Sequence, residues 1–223
     1  MRGRLFPVRY TRQRAGPAIE RTFCKMSTFP SVLGAAALAL TLGVAAAQAA
    51  DDQGAYAIDG VGSRSCADLA KAYAEKDEKL LLAFASWTDG FITSYNIHAA
   101  QTFDITPWQT VELTLAKMNV FCQANPKTPY IEGLAKLMAV LKADRLTTSD
   151  ELVLVRSGKQ GTYLYRGMLT KIRAALQAAG IEVGSPEGSF DDSFAAALKS
   201  YQAKTGLPTS GLPDQQTLNA LLH

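Results

Sequence analysis

The sequence predicts an all-α protein of two small helical domains, the first stapled by a disulfide and the second a three-helix bundle, behind an N-terminal leader. Apolar residues recur at spacings of three and four from Cys66 to Leu141, and again from Tyr163 to Leu222. Capping residues, glycines and prolines bound each of these runs. Once the leader is set aside only two cysteines remain, Cys66 and Cys122. At 223 residues the chain has room for one or two domains. A domain under about 100 residues buries only about 60% of its unfolded surface and gains most from a staple.

The leader rests on the run Val32–Ala47, rich in alanine and leucine, which is short for a bilayer span. It ends at Ala47-Gln48-Ala49, the small-x-small pattern of a signal-peptidase site, and Asp51 and Asp52 follow. Residues 1–49 are therefore expected to be a leader and signal peptide, with the mature chain starting near Ala50; a buried Ala-rich helix or an anchor is the alternative. Residues 1–25 make an unusually long basic stretch, and Met26 is a second candidate start. The net charge of +3 belongs to this region. Its loss removes seven basic and one acidic residue, leaving about −3 and no basic patch to suggest nucleic acid. Cys24 leaves with the leader and follows no lipobox. In an oxidising compartment Cys66 and Cys122 read as one disulfide, the alternative being two free buried thiols.

Residues 50–142 form the first expected domain. After a polar stub to Ser63, Ser65 caps a helix carrying Cys66, Leu69 and Tyr73. The charged break Glu75–Lys79 precedes a longer helix from about Leu80 to Ala100. Gly90 within it is expected to admit a neighbouring helix closely, because an unneeded helical glycine costs about 1 kcal/mol relative to alanine. Thr106-Pro107 is expected to start the next helix as N-cap and N1, and Asn125-Pro126 ends it. Tyr130–Leu141 is the last helix here. Residues 143–162 are polar and turn-rich and read as a linker. Within them Leu152-Val153-Leu154-Val155 is apolar, a short strand or a helix tail.

Residues 163–223 form the second expected domain. A helix from about Tyr163 to Ala179 stops at Gly180, a second runs from the Asp191 cap to Gly206, and a third follows the Asp214 cap. Leu176, Gly180-Ile181, Pro186-Glu187-Gly188-Ser189-Phe190, Phe194, Ala197 and Leu198 stand in order. Tyr201-Gln202, Thr205-Gly206-Leu207-Pro208, Gly211 and Asp214-xx-Thr217-Leu218 follow them. This set resembles the three-helix peptidoglycan-binding domain at the ends of bacterial wall hydrolases, with Pro186–Phe190 standing for its D-G-x-F-G loop. Glu187 replaces the usual Asp, Asp191 a usual Gly, and Arg173 a frequent Gln. The resemblance implies peptidoglycan as ligand, and the candidate contacts are Arg173, Phe190, Tyr201, Gln202 and Thr217. Tyr201 and Gln202 offer an aromatic face and an amide to a sugar ring and its N-acetyl group. Phe190 and Tyr201 serve equally as core, whereas Arg173, Gln202 and Thr217 are expected to be exposed.

In residues 64–142, Ser65-Cys66, Trp87-xx-Gly90-Phe91-xxxx-Asn96 and Phe121-Cys122-xx-Asn125-Pro126 resemble small disulfide-stapled periplasmic proteins of the HdeA/HdeB-like type. Small exported immunity or inhibitor proteins share the look. Asn96 and His98 are the polar residues that invite a functional reading, and a structural role suits both.

An enzyme is not expected. After the leader only His98 and the terminal His223 remain, too few for a zinc peptidase site. The two cysteines are committed to each other, Glu112 and Glu132 sit on ordinary amphipathic helices, and neither G-x-S-x-G nor a phosphate loop occurs. No cofactor, metal or nucleic-acid partner is expected, nor a membrane span once the leader is cleaved. The function read from the sequence is an exported, non-catalytic envelope protein of the periplasm or cell wall that binds peptidoglycan through its C-terminal domain. A periplasmic protein is the expected partner of residues 64–142. The alternatives are an acid-stress chaperone, or an inhibitor or immunity protein of a wall hydrolase.

Overall fold

The structure, a computed structural model, describes residues 54–222. The leader, its cleavage site, Met26 and Cys24 lie outside the described residues. The described part is mostly helical and contains one two-stranded sheet, in the order α1 (Cys66–Glu75), α2 (Glu78–His98), α3 (Val111–Ala124), α4 (Tyr130–Leu141), β1 (Leu152–Ser157), β2 (Gln160–Tyr165), α5 (Arg166–Ala178), α6 (Asp192–Thr205) and α7 (Gln215–Leu222).

Local chemistry sets most helix ends. Ser65 opens α1 as a capping box, its N–H and hydroxyl both bonding the Asp68 carboxylate, at 3.1 and 2.9 Å. Lys76 ends the helix in the left-handed conformation, φ 55°. Asp77 caps α2 by accepting from Leu80 N–H at 3.0 Å. The free N–H groups of Cys66 and Ala67 donate to the carbonyls of Thr128 and Pro126, so the loop before α4 closes the start of α1. Cys66 and Cys122 are joined there in the expected disulfide. The first core gathers Leu69, Phe84, Met118, Leu134 and Met138 around it. Tyr130 is fully buried in this core, edge-on to Phe84, with its hydroxyl 2.6 Å from Thr88 Oγ1. Before α1, a 3₁₀ turn at Gly60–Ser63 lies under Trp87 so closely that a Cβ on Gly62 would sit 2.1 Å from the indole.

Three expectations are corrected. Thr106-Pro107 opens no helix; α3 begins at Val111 with Thr110 as N-cap. The Asp104 carboxylate takes the Thr106 N–H at 2.9 Å, Asn96 takes that of Ile105 at 2.9 Å, and Trp108 is buried in the second core. Those three ties hold residues 104–109 out of a helix. Gly90 admits no neighbour, since a Cβ there would meet nothing within 4 Å. The close approach is at Gly133, where a Cβ would lie 2.8 Å from Phe121 and 2.9 Å from Met118. Tyr163 opens no helix either, because it belongs to β2.

Residues 152–165 form an antiparallel hairpin, registered from Leu152 opposite Tyr165 to Ser157 opposite Gln160. Its two-residue turn uses Gly158 at φ 59°, a conformation that costs glycine little. The Leu-Val-Leu-Val run is thus a strand. Side chains alternate in period two: Val155 and Leu164 are buried in the second core, while Leu152, Leu154 and Tyr163 face outward.

The second core is the bundle of α5, α6 and α7, filled by Met168, Ile172, Leu176, Phe194, Leu198 and Leu218. Gly180 at φ 76° ends α5, with Ile181 N–H returning to Leu176 O at 2.9 Å. Gly206 at φ 73° ends α6 in the same way. Trp108 and Leu113 contribute to this core from outside the bundle, and Gln215 of α7 clasps that segment. Its amide donates to Trp108 O and accepts from Thr110 N–H at 2.9 Å.

Candidate functional site

Two turns and the hairpin shape the outside of the C-terminal bundle. The first turn runs from Ile181 to Asp191 and is held from within by Arg173 of α5. Its guanidinium donates to the carbonyls of Val183 (2.6 Å), Ser185 and Pro186 (2.9 Å). The same group lies 5.6 Å from the Phe194 ring centre. Arg166 braces the turn from the other side. It pairs with Glu151 at 2.9 Å and donates to Gly188 O at 3.0 Å, tying the foot of the hairpin to the turn. Gly188 stands at φ 69°, and Phe190 stacks on Phe194 with 5.2 Å between ring centres. Asp191 then caps α6 by accepting from Ser193 N–H at 2.9 Å and Phe194 N–H at 3.1 Å. The Ser185 hydroxyl first, then these N–H groups and the Ser193 hydroxyl, hold its carboxyl down to about 2.

The second turn, Leu207–Asp214, is built around Gln202. Its amide oxygen accepts from Gly211 N–H at 2.8 Å. Its amide nitrogen lies 3.0 Å from Leu212 O, 2.9 Å from Thr217 Oγ1 and 3.1 Å from Ser210 Oγ. Ser210 in turn donates to Asp214 at 2.9 Å, and Asp214 accepts from Thr217 N–H at 2.9 Å as the cap of α7. Ser157 at the hairpin tip donates to Ser210 O at 2.7 Å. The hairpin therefore spans the bundle from one turn to the other.

This geometry sorts the five candidate contacts. Gln202 and Thr217 are each 0% exposed, which corrects the expectation that they face solvent. Sequence chemistry could not tell an amide offered to a sugar from one spent inside a turn. Tyr201 is buried in the core beside them. Arg173 is half-buried and its charge is turned inward on three carbonyls. Phe190 alone of the aromatic pair keeps part of its ring at the surface. Two residues that carry surface features here went unread: Arg166, whose role depends on a hairpin the sequence reading placed in a linker, and Tyr163, 68% exposed on the hairpin's outer face. The short apolar run Leu152–Val155 followed by the turn residues Ser157-Gly158-Lys159 was the available signal for both.

Elsewhere, Asn96 is spent on Ile105 N–H, and His98 Nδ1 lies 2.8 Å from Ser94 O within its own helix. Among the described residues no group of three or more His, Cys, Asp or Glu is placed to hold a metal ion. Among them, too, no helix is long and apolar enough to cross a membrane.

Three short helices with two internally braced turns make up this small helical module. Residues 167–221, which span most of the C-terminal bundle, match the family described as "Putative peptidoglycan binding domain". The match begins at Gly167, the second residue of α5, and does not reach residues 64–142. The HdeA/HdeB-like resemblance read there gains no support from it. No curated protein and no solved structure matches the chain.

Proposed function

We propose that this protein is an exported, non-catalytic component of the bacterial envelope that binds peptidoglycan through its C-terminal domain. The family match over residues 167–221 carries the reading. The two turns give it a physical basis, because their backbones are organised before any ligand arrives and little ordering entropy remains to be lost on binding. Arg173, Gln202 and Thr217 act in this reading as positioning residues. Contact falls to the groups the first turn presents, Glu187, Ser189 and the half-buried Phe190, with Tyr163 on the hairpin's outer face as a second aromatic surface. Export rests on the leader read from residues 1–49 and on the disulfide, which persists in oxidising compartments.

The test is sedimentation of residues 50–223 with purified sacculi, against cellulose as a control. Truncation before the bundle is a poor comparison, because it would strip the cover from Trp108 and Leu113. Exposed-site variants are better: Ser189→Trp to obstruct the first turn and Tyr163→Ala to remove the ring. Pelleting with sacculi and not cellulose, reduced severalfold by Ser189→Trp at unchanged melting temperature, is the expected result. Failure of the unaltered chain to pellet defeats the reading. Sacculi stripped of their peptide stems by an amidase then tell whether glycan or peptide is recognised.

A further inference from the structure

Outside the wall-binding domain, α3 and α4 enclose an open groove of about 260 Å³. Its walls are Met118 and Phe121 from α3 and Leu137 and Val140 from α4. Gly133 lies at its base, where the helices come closest. Val140, 70% exposed, forms its apolar rim. Two lysines complete the lining, Lys117 from α3 and Lys136 from α4. Lys136 Nζ lies 5.6 Å from the Phe121 ring centre, and Lys117 Nζ lies 5.5 Å from that of Trp108. Among the described residues neither ammonium has a carboxylate within 4 Å. Burial also lowers the pKa of Lys117, as it does for a cation short of water and counter-ion.

An apolar trough bordered by two unneutralised cations selects for a ligand with the opposite arrangement: an apolar body and an anionic end. The volume sits just below the usual range for small-molecule sites, about 300–1,000 Å³. We propose that the groove binds an amphiphile of the fatty-acid type, its single acyl chain between α3 and α4 and its carboxylate against Lys117 and Lys136. A neutral head leaves both ammoniums unmatched, and a cationic head is repelled by them.

Calorimetric titration of residues 50–223 with octanoate, decanoate and dodecanoate, each below its micelle concentration, tests the proposal. Affinity is expected to rise about fourfold per added methylene, the equivalent of one buried CH₂. The double variant Lys117→Ala/Lys136→Ala is expected to lose at least about tenfold in dodecanoate affinity, the scale of charge-assisted contacts. Dodecyl maltoside binding should change little in the same variant. Val140→Trp, at an exposed rim position that tolerates bulk, should weaken every chain length while the melting temperature holds. Absence of binding at all lengths overturns the proposal. So does equal affinity for dodecanoate and dodecyl maltoside, or binding that Val140→Trp leaves untouched. None of these outcomes depends on whether the chain sediments with sacculi.

Discussion

Gln202 shows how a residue that looks like a ligand contact can instead be a structural keystone. Its buried amide satisfies Gly211 N–H, Leu212 O and Thr217 Oγ1, so Gln202→Leu leaves three polar groups without partners. At about 1–3 kcal/mol for each group stranded, less relaxation, a loss on the order of 3 kcal/mol is expected. Urea denaturation should show it as a lowered midpoint at unchanged slope. Any loss of sacculus binding should then track the unfolded fraction, as expected of a residue with no exposed surface. Gly90 gives the opposite sign. With open space where its Cβ would stand, Gly90→Ala should stabilise the protein by about 1 kcal/mol through helix propensity alone. At Gly133 the same change must push Phe121 and Met118 aside, and the propensity gain is offset. A stability series over these two glycines separates propensity from packing.

Among elements, the junction of α1, α3 and the loop before α4 depends most on one bond. The Cys66–Cys122 disulfide closes a loop of 56 residues in sequence separation. In the chain-entropy account that is worth about 4 kcal/mol, a large part of the total for a small domain. Cys66→Ser/Cys122→Ser should lower the denaturation midpoint accordingly, most of all in hydrogen exchange of α1 and α3 amides. The hairpin is the other decisive element. Its inner face covers the second core through Val155 and Leu164, and its ends reach both turns through Arg166 and Ser157. It therefore belongs physically with the bundle it precedes.

At the scale of the molecule, the two cores are coupled through the segment around Trp108. That indole lies in the second core, while the chain on either side belongs to the elements of the first. Trp87 reports on the first core. Single-tryptophan variants, Trp87→Phe and Trp108→Phe, should therefore give coincident fluorescence transitions in urea; well-separated midpoints would show the cores to be independent. The pH response has two edges. Asp191 is held at about 2, so the folded chain binds fewer protons there than the unfolded one. Its contribution is present above about pH 4, and is lost as the pH falls toward 2. Tyr130 is pushed up to about 12 by burial, so its contribution is present below about pH 10 and lost as the pH climbs to 12. Asp191→Asn should flatten the acid edge of a stability–pH profile and leave the alkaline edge unchanged.

Much of this was legible in the chain itself. Ser65, Asp191 and Asp214 cap where their chemistry suggests, Gly180 and Gly206 end helices in the left-handed conformation, and the two remaining cysteines pair. The C-terminal motif was readable as a family resemblance for the same reason, since its glycines, prolines and caps act over three or four residues. What the tertiary structure alone decided were matters of which faces meet. It kept Thr106-Pro107 out of a helix because Trp108 is claimed by a distant core. It turned Gln202 and Thr217 inward because the turn after α6 needs their hydrogen bonds, and it put the close helix contact at Gly133 and not at Gly90. Capping is a local energy and can be read along the chain. Burial is settled by partners far away in sequence, and only the packed molecule brings those together.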